Sequence, residues 1–504
     1  AITTPTYAPI WDPENPQQFY NNFYGANLTS PRENMARTDY NQDVTDRLLL
    51  SGGLTFYLAK DLTFKSTVSM DRRWVHSSSF LDPIRTSYGR TQHGTASDTR
   101  SDDMRMIYDN ILTWNKSFDR HGLEVMAGTS ATTSVWEQLS GSRSYFSSTN
   151  NNAIPNLNGG NNGGVRGQSY GKSEWSIMSY LARVSYNYDS KYLVTANFRA
   201  DGSSRFGIDS RWGYFPSVSA GWTLSNEPFL KDALKDVASI RLRASWGKSG
   251  NNDIGNYASL AGISSGSYAF GQTPVSTTYE GSFTDAALGW ETTRQTNVGI
   301  DLGFFNGRLN VIGNWYNSIS TDILYKYPIS SISGATSTTT NMSGAKIRNR
   351  GFDVQLDARL LTGKVNWNFS TNISVNRNKV VSMGGLDDII STTERSVGSH
   401  ITKEGYPIGS FYGYNAIGIM SKADYANALL DRDVYIKNGN KFPEGYQLKG
   451  PAVASYALDN LSYGNAIWKD ANGDGVITTD DKTIIGDAYP DFTGGFSTNL
   501  SWKG

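Results

Sequence analysis

Residues 469–482 read KDANGDGVITTDDK, a stretch that sets oxygen-bearing side chains at the intervals a calcium ion uses. Calcium takes six to eight oxygens, and EF-hand-type loops supply them from positions 1, 3, 5, 7, 9 and 12, with glycine at position 6 for the sharp turn. Those positions are Asp470, Asn472, Asp474, the Val476 carbonyl, Thr478 acting through water, and Asp481, with Gly475 at the turn and Ile477 directed inward. Aspartate rather than glutamate at the last position shortens the reach toward one-oxygen coordination. The competing reading is an Asx-rich turn that holds itself with backbone hydrogen bonds and takes no metal. A dockerin-type module would use the same loop, but it needs a second copy flanked by helices, and here one copy is followed by a strand pattern. The expectation is a structural Ca2+ that pins a long excursion, 384–489, with little core of its own.

No other constellation points to catalysis. GISSG (262–266) matches the G-x-S-x-G nucleophile elbow, which requires a strand, a strained turn and a helix, with histidine and acid partners. It lies in a Gly/Ser-rich segment, so the chain reads as a non-enzyme; a surface hydrolase would instead lose its activity in a Ser264→Ala variant. His76, His93, His121 and His400 are scattered without H-E-x-x-H or His-x-His spacing, which leaves a catalytic zinc site unsupported. The Asn/Gly-rich stretch 147–168 reads as flexible rather than ligand-contacting. Tyr257, Tyr268, Phe270, Tyr279, Phe411, Tyr412 and Tyr414 could stack on a ligand's rings or pack against a partner, but no spacing distinguishes them from ordinary loop-core residues, so the substrate-binding residues stay unassigned.

Composition frames these segments. Among 504 residues, Gly 51, Tyr 29, Phe 21 and Trp 13 with 38% hydrophobic residues favour strands and turns over helical packing. Lys+Arg and Asp+Glu stand at 46 each, so no net field draws nucleic acid, and the absence of cysteine removes disulfides and thiolate metal sites. The N-terminal AITTPTYAPIWDPENPQQFY has no basic segment followed by an apolar core, hence no signal peptide within the chain. Nor is there a run of eighteen apolar residues for a membrane helix, which leaves membrane-crossing strands open.

The strand signal is period two. Between 179 and 202, Tyr180, Ala182, Val184, Tyr186 and Tyr188 alternate with polar residues, and the pattern resumes after Asp189-Ser190 with Tyr192, Val194, Ala196 and Phe198. Similar hairpins span 47–74, 104–130, 293–318 and 348–378, turning at 59–61, 119–121, Asn306-Gly307 and Thr362-Gly363. Strands of about ten residues or longer suit a tilted membrane crossing. Between hairpins lie long polar connections, 75–103, 138–173, 250–289, 322–347 and 384–489, and EPFLKDALKD (227–236) reads as a small helix on a short turn. Short turns alternating with long loops predict an all-β, antiparallel transmembrane barrel with long extracellular loops. A soluble sandwich or propeller is the bland alternative, but Gln295, Asn297, Asp301, Asp353, Gln355 and Asp357 are too polar for a sandwich core. About thirteen strands are expected, an odd number where closed barrels normally have an even one, so the chain reads as the middle of a longer protein.

Several segments together resemble the SusC/RagA family of TonB-dependent outer-membrane transporters: RADGSSRFG (199–207), FPSVSAGWTLSNEPFL (215–230), IRLRASWGKSGN (240–251), LGWETTRQTNVGIDLGFFNGRL (288–309), IRNRGFDVQL (347–356), EGYPIGSFYGYNAIGI (404–419) and DANGDGVITTDDKTIIGDAYPDFTGGF (470–496). The resemblance implies a multi-pass barrel of about twenty-two strands in the outer membrane, with an N-terminal plug in its lumen. It further implies import of oligosaccharides or peptides, a SusD-like surface lipoprotein as lid, and the TonB complex as energy source. Residues 1–504 would form the central and later barrel within outer-membrane lipid, with no plug domain, TonB box or terminal strands in this chain. A passive porin or a structural surface β-protein is the alternative function.

Overall fold

The computed structural model describes residues 9–20, 31–146, 156–160, 166–234, 237–260, 262–271, 273–330, 332, 335, 337–392, 398–456 and 461–502. The chain divides into two units. Fourteen strands precede the excursion: β1 (Gln42–Ala59), β2 (Leu62–Leu81), β3 (Thr95–Phe118), β4 (His121–Ser144), β5 (Arg166–Tyr188), β6 (Tyr192–Ser203), β7 (Trp212–Thr223), β8 (Ala238–Asn251), β9 (Gly262–Phe270), β10 (Thr273–Thr284), β11 (Glu291–Phe304), β12 (Leu309–Pro328), β13 (Ser337–Leu361) and β14 (Val365–Met383). Within the excursion lie β15 (Ile389–Thr392), β16 (Gly398–Thr402), β17 (Ser410–Gly413), β18 (Ala416–Ile419), the helix Lys422–Lys437, β19 (Ala466–Trp468) and β20 (Thr483–Gly486). The last strand, β21 (Thr493–Trp502), returns to pair with β14. Among the described residues, β1 to β8, β11 to β14 and β21 make thirteen strands against the about thirteen expected, and the β9–β10 hairpin adds two more to the large sheet.

The first unit carries β1 through most of β5 as an antiparallel meander, each strand paired with the next. Residues Asn197–Tyr214 and the β9–β10 hairpin also belong to it. In the second unit β8, β11, β12, β13, β14 and β21 run in that order, again antiparallel. The short turns fall where the sequence placed them because their residues accept left-handed backbone: Asp119 has φ 49°, Asp189 and Ser190 have 51° and 55°, and Asn306 and Gly307 have 54° and 77°. The helix at 227–236 is observed over Pro228–Leu234.

The long connections are corrected. β2 continues to Leu81 and β3 starts at Thr95, so 75–103 is mostly strand, and 322–347 is mostly β12 and β13. The segment 138–173 likewise gives its ends to β4 and β5. Within 250–289 the hairpin β9–β10 replaces a plain loop, so GISSG lies in a strand rather than at a strand-turn-helix elbow. Hydrogen-bonded ladders persist where hydrophobic alternation stops, because Ser, Thr, Asp and Arg on both faces still pair across strands, as His76 with Asp98 and Ser79 with Ser97 do.

The excursion is corrected as well: it has a core of its own. Met420, Ala428, Val453, Tyr456 and Leu461 are buried together, with Tyr435, Phe442, Ile467 and Val476 packed around them. A second cluster, Met342, Ala345, Val380 and Met383 with Leu386, Ile389 and Ile408, roots this lobe on the ends of β13 and β14. The helix starts at a capping box in which Ser421 Oγ accepts from the Asp424 N–H and Asp424 accepts from the Ser421 N–H.

Candidate functional site

Two regions carry the functional residues, a two-faced wall and the loop-bearing lobe. In the second unit, cross-strand register sorts every wall residue onto one face. One face repeats apolar levels: Ala244, Val298, Trp315, Phe352 and Val375 lie opposite one another on five successive strands, with Leu242, Ile300, Gly313, Val354 and Ile373 one level nearer the short turns. Most of these side chains are solvent-accessible, Val298 by 51% and Phe352 by 45%, an exposed apolar face of the kind a membrane barrel turns to lipid.

The other face is a connected polar lattice. Arg243 donates from Nε and Nη2 to Asp301 at 2.7–3.1 Å and from Nη2 to Asn314 Oδ1 at 2.9 Å, while Asn314 Nδ2 donates to Asp353 at 2.7 Å. Gln295 donates to Asn297, Gln355 to Asp357, and Ser370 also to Asp357. The polar residues singled out in the sequence therefore share one face and bond among themselves. The first unit repeats the design: Arg47 holds Asp71 through two bonds of 2.7–2.8 Å, and Arg73 reaches Asp103 at 3.2 Å. These four residues and Arg105 line a cleft of about 250 Å³. Such a surface can exchange hydrogen bonds with a polar solute.

The calcium-type loop sits on the lobe's core. Ile477 is buried and Gly475, at φ 86°, leaves no room for a side chain, since an added Cβ would stand 2.9 Å from the Phe442 ring. The Tyr456 hydroxyl donates to the Gly475 carbonyl at 2.9 Å, and burial pushes that hydroxyl's pKa up. Asp470 accepts the Gly473 and Gly475 N–H groups at 2.7 and 2.8 Å, and Asn472 and Asp474 accept the N–H groups two residues on. Asp481 accepts from Ala471 at 2.8 Å and Thr478 at 2.7 Å. Burial drives the Asp481 pKa upward, but the N–H donors of Thr478, Ala471 and Asn472 outweigh it and hold the carboxyl below its usual range. Among the described residues no three carboxylates or histidines gather as a ready ligand set. The loop is thus a self-bonded corner of the lobe, while each carboxylate oxygen that accepts one N–H keeps a lone pair for a cation.

The remaining sequence candidates separate. His93 stacks on Tyr145, His121 on Phe118, and His400 packs near Phe411. The Tyr257 hydroxyl accepts the Glu174 N–H at 2.9 Å, Tyr414 packs on Trp468, and Tyr268 and Tyr279 are exposed. Phe411 is exposed and Tyr412 half-buried. The side chains of Ser264 and Phe270, and residues 147–155 and 161–165 of the Asn/Gly-rich stretch, lie outside the described residues. Sequence reasoning missed the helix Lys422–Lys437, although Ser421-x-x-Asp424 is a capping-box signature. It also missed the packing in RADGSSRFG, where Arg205 lies over the Trp175 ring at 5.0 Å and bonds Asn256 Oδ1 and the Asn252 carbonyl.

A family described as "TonB dependent receptor-like, beta-barrel" matches residues 2–502. The chain belongs to this TonB-dependent receptor family. TonB-dependent receptor P3 of Formosa agariphila is 31% identical over 460 residues, covering 89% of this chain and 42% of the relative. SusC of Bacteroides thetaiotaomicron is 26% identical over 487 residues, covering 88% and 47%. The chain therefore spans less than half the length of these curated relatives. Among solved structures, the RagAB peptide transporter superposes with a TM-score of 0.75 at 23% identity, covering 97% of this chain and 50% of that one. The fold is thus that of a TonB-dependent outer-membrane barrel, of the SusC and RagA kind, of which the chain spans part.

Proposed function

We propose that this chain forms the wall and outer lobe of an active outer-membrane importer that performs no covalent chemistry. Its solutes are oligosaccharides or peptides, a SusD-like surface lipoprotein covers its mouth, and the TonB complex supplies energy. The observation that carries this reading is the two-faced wall: a lattice of bonded Arg, Asp, Asn and Gln on one face and exposed apolar side chains on the other, within a chain that matches the receptor family almost end to end. Such a wall separates lipid from a watery path. The name RagAB peptide transporter supports peptides as solutes, while oligosaccharides and the lid rest on the resemblance to the SusC/RagA family.

The test is uptake of labelled oligosaccharide and peptide pools by cells carrying the full-length protein, with TonB intact or disabled. Uptake that stops when TonB is disabled, together with a co-purifying lipoprotein, supports the importer. Uptake indifferent to TonB returns the protein to the passive-pore reading.

We also propose that the loop takes Ca2+ through Asp470, Asn472, Asp474, the Val476 carbonyl, Thr478 and Asp481. The residue types and the Gly475 turn fit, and binding would require Asp474 and Asp481 to turn a free lone pair inward. Calorimetric titration of CaCl2 into chelator-stripped protein should show a site that Asp470→Asn weakens. Absence of binding heat, with lobe melting unchanged by chelator, would return the loop to a metal-free Asx turn.

A further inference from the structure

On the lipid-meeting face of the second unit, basic residues form a row that crosses five strands. Lys248 on β8 lies opposite Arg294 on β11, Arg294 opposite Ile319 on β12, Ile319 opposite Arg348 on β13, and Arg348 opposite Lys379 on β14. One level nearer the short turns, Arg350 and Arg377 are paired, and the Arg350 guanidinium lies 5.8 Å from the Trp315 ring centre. Directly below this is the apolar level of Val298, Trp315 and Phe352. Adjacent strands are about 4.8 Å apart, so the row from Lys248 to Lys379 extends roughly 19 Å.

The row stands at a definite depth. From Arg294 to Phe304, at the short turn, is a ten-residue step along β11. That is about 33 Å along the strand, or about 25 Å along the membrane normal at a tilt near 40°, the height of a lipid-facing band. Short turns face the periplasm in such barrels, so the row lies at the headgroup level of the outer leaflet. Arg294, Arg350, Arg377 and Lys379 are exposed, while Lys248 and Arg348 are half-buried. Among the described residues, the ion pair this group makes is Arg377 with Asp491, at 2.9 Å between two exposed side chains. Neutralising only one of six cations, that pair leaves a concentrated positive strip on an overall neutral chain.

We propose that this strip binds the phosphate groups of an anionic lipid in the outer leaflet, whose acyl chains lie against the apolar levels beneath. Continuity decides for lipid: Arg350 stands one level above Phe352, and on β11 and β12 Thr296 and Asn317 alone separate the row from Val298 and Trp315 on the same face, so one amphiphile satisfies both, whereas an acidic protein would satisfy only the charge. The inference rests on the membrane orientation in the proposed function but not on what is transported, and its test uses no transport readout.

The test titrates the full-length protein in neutral detergent with bisphosphorylated lipid A, and separately with phosphatidylcholine, by native mass spectrometry. A basic residue near an anionic lipid surface contributes about fivefold, so Arg294→Gln with Arg348→Gln should weaken lipid A binding about 25-fold. Arg294→Lys with Arg348→Lys should stay within about threefold, because charge is kept, and phosphatidylcholine binding should not change. Unaltered lipid A binding in the glutamine variant overturns the proposal. So does an equal loss in the lysine variant, which would report shape or folding rather than charge. Soluble polyglutamate that binds as tightly as lipid A, with the same sensitivity, would reassign the strip to an acidic protein.

Discussion

Phe352 on the wall and Tyr456 in the lobe lie in the same unit and face opposite solvents. Phe352 is 45% exposed on an apolar face, while Tyr456 is 4% exposed, between Tyr435 and Phe442, with its hydroxyl on the Gly475 carbonyl. The wall turns its apolar residues outward and bonds its polar ones together, as Arg243, Asp301, Asn314 and Asp353 show. The lobe reverses this and buries a small apolar core. The difference teaches where stability resides: in the wall it is inter-strand hydrogen bonding, and in the lobe it is hydrophobic burial.

The largest expected effect is in the lobe. Tyr456→Ala removes a buried ring and the hydroxyl that satisfies the Gly475 carbonyl. Loss of a large buried aromatic costs about 3–5 kcal/mol, confined here to the lobe. Hydrogen exchange followed by mass spectrometry should show residues 420–480 losing protection while β11 to β14 keep theirs. Equal loss in both would break the distinction.

The reverse experiment puts a charge into the wall. Ile300→Arg at a lipid-facing level should cost about 2–4 kcal/mol in a bilayer. The same substitution at an exposed lobe position such as Ile436, itself 47% accessible, should shift stability by no more than about 0.5 kcal/mol. Urea titration of protein refolded into lipid vesicles measures the first, and lobe proteolysis rates measure the second. A harmless Ile300→Arg would sink the assignment of that face to lipid.

These two regions were unequally legible in the sequence. The hairpin turns could be read because Asp189-Ser190 and Asn306-Gly307 tolerate left-handed backbone, and the apolar faces because Tyr180 to Tyr188 alternate over one strand. Strand length beyond the membrane could not be read, since 75–81 and 95–103 carry polar residues on both faces and look like loop until their partners are known. The lobe's core was hidden because Met420, Ala428, Val453, Tyr456 and Leu461 follow neither a strand nor a helix period across the whole segment. The basic row was hidden for another reason: Lys248, Arg294, Arg348 and Lys379 come together only through register across five strands. The calcium-type loop was legible in its spacing, but spacing alone could not show that its Asp side chains bond the loop's own backbone.

Acid should weaken the lobe. Asp424 is held below the ordinary carboxylate range by hydrogen bonds from Ser421, and Asp481 ends below it despite burial because of its backbone donors. Since both folded pKa values are depressed, the unfolded chain binds protons more readily. The stabilisation is therefore fully present above the unfolded values, about pH 4, and is lost as pH falls through the folded ones. Hydrogen exchange at pH 7 and pH 3, corrected for intrinsic rates, should show the capping box and the 470–481 loop opening first. If Asp424→Asn and Asp481→Asn leave that pH dependence unchanged, other groups are responsible.

The smallest effect is expected where a water-soluble protein would suffer a clear loss. Ile300→Ala deletes three carbons from an apolar side chain, a change that costs about 2–5 kcal/mol in a buried core. Ile300, however, is 37% exposed on the face assigned to lipid, where that assignment gives it acyl chains as neighbours in a bilayer. Lipid tails are as apolar as the residue they touch and close over the shortened side chain, so no cavity persists and little transfer energy is lost. A shift well under about 1 kcal/mol in vesicles is expected, against a loss of several in the lobe for Leu461→Ala, whose side chain is 5% exposed. Comparable losses at the two positions would mean that the face bearing Ile300 is covered by protein rather than by lipid, and the wall would then obey the lobe's rule.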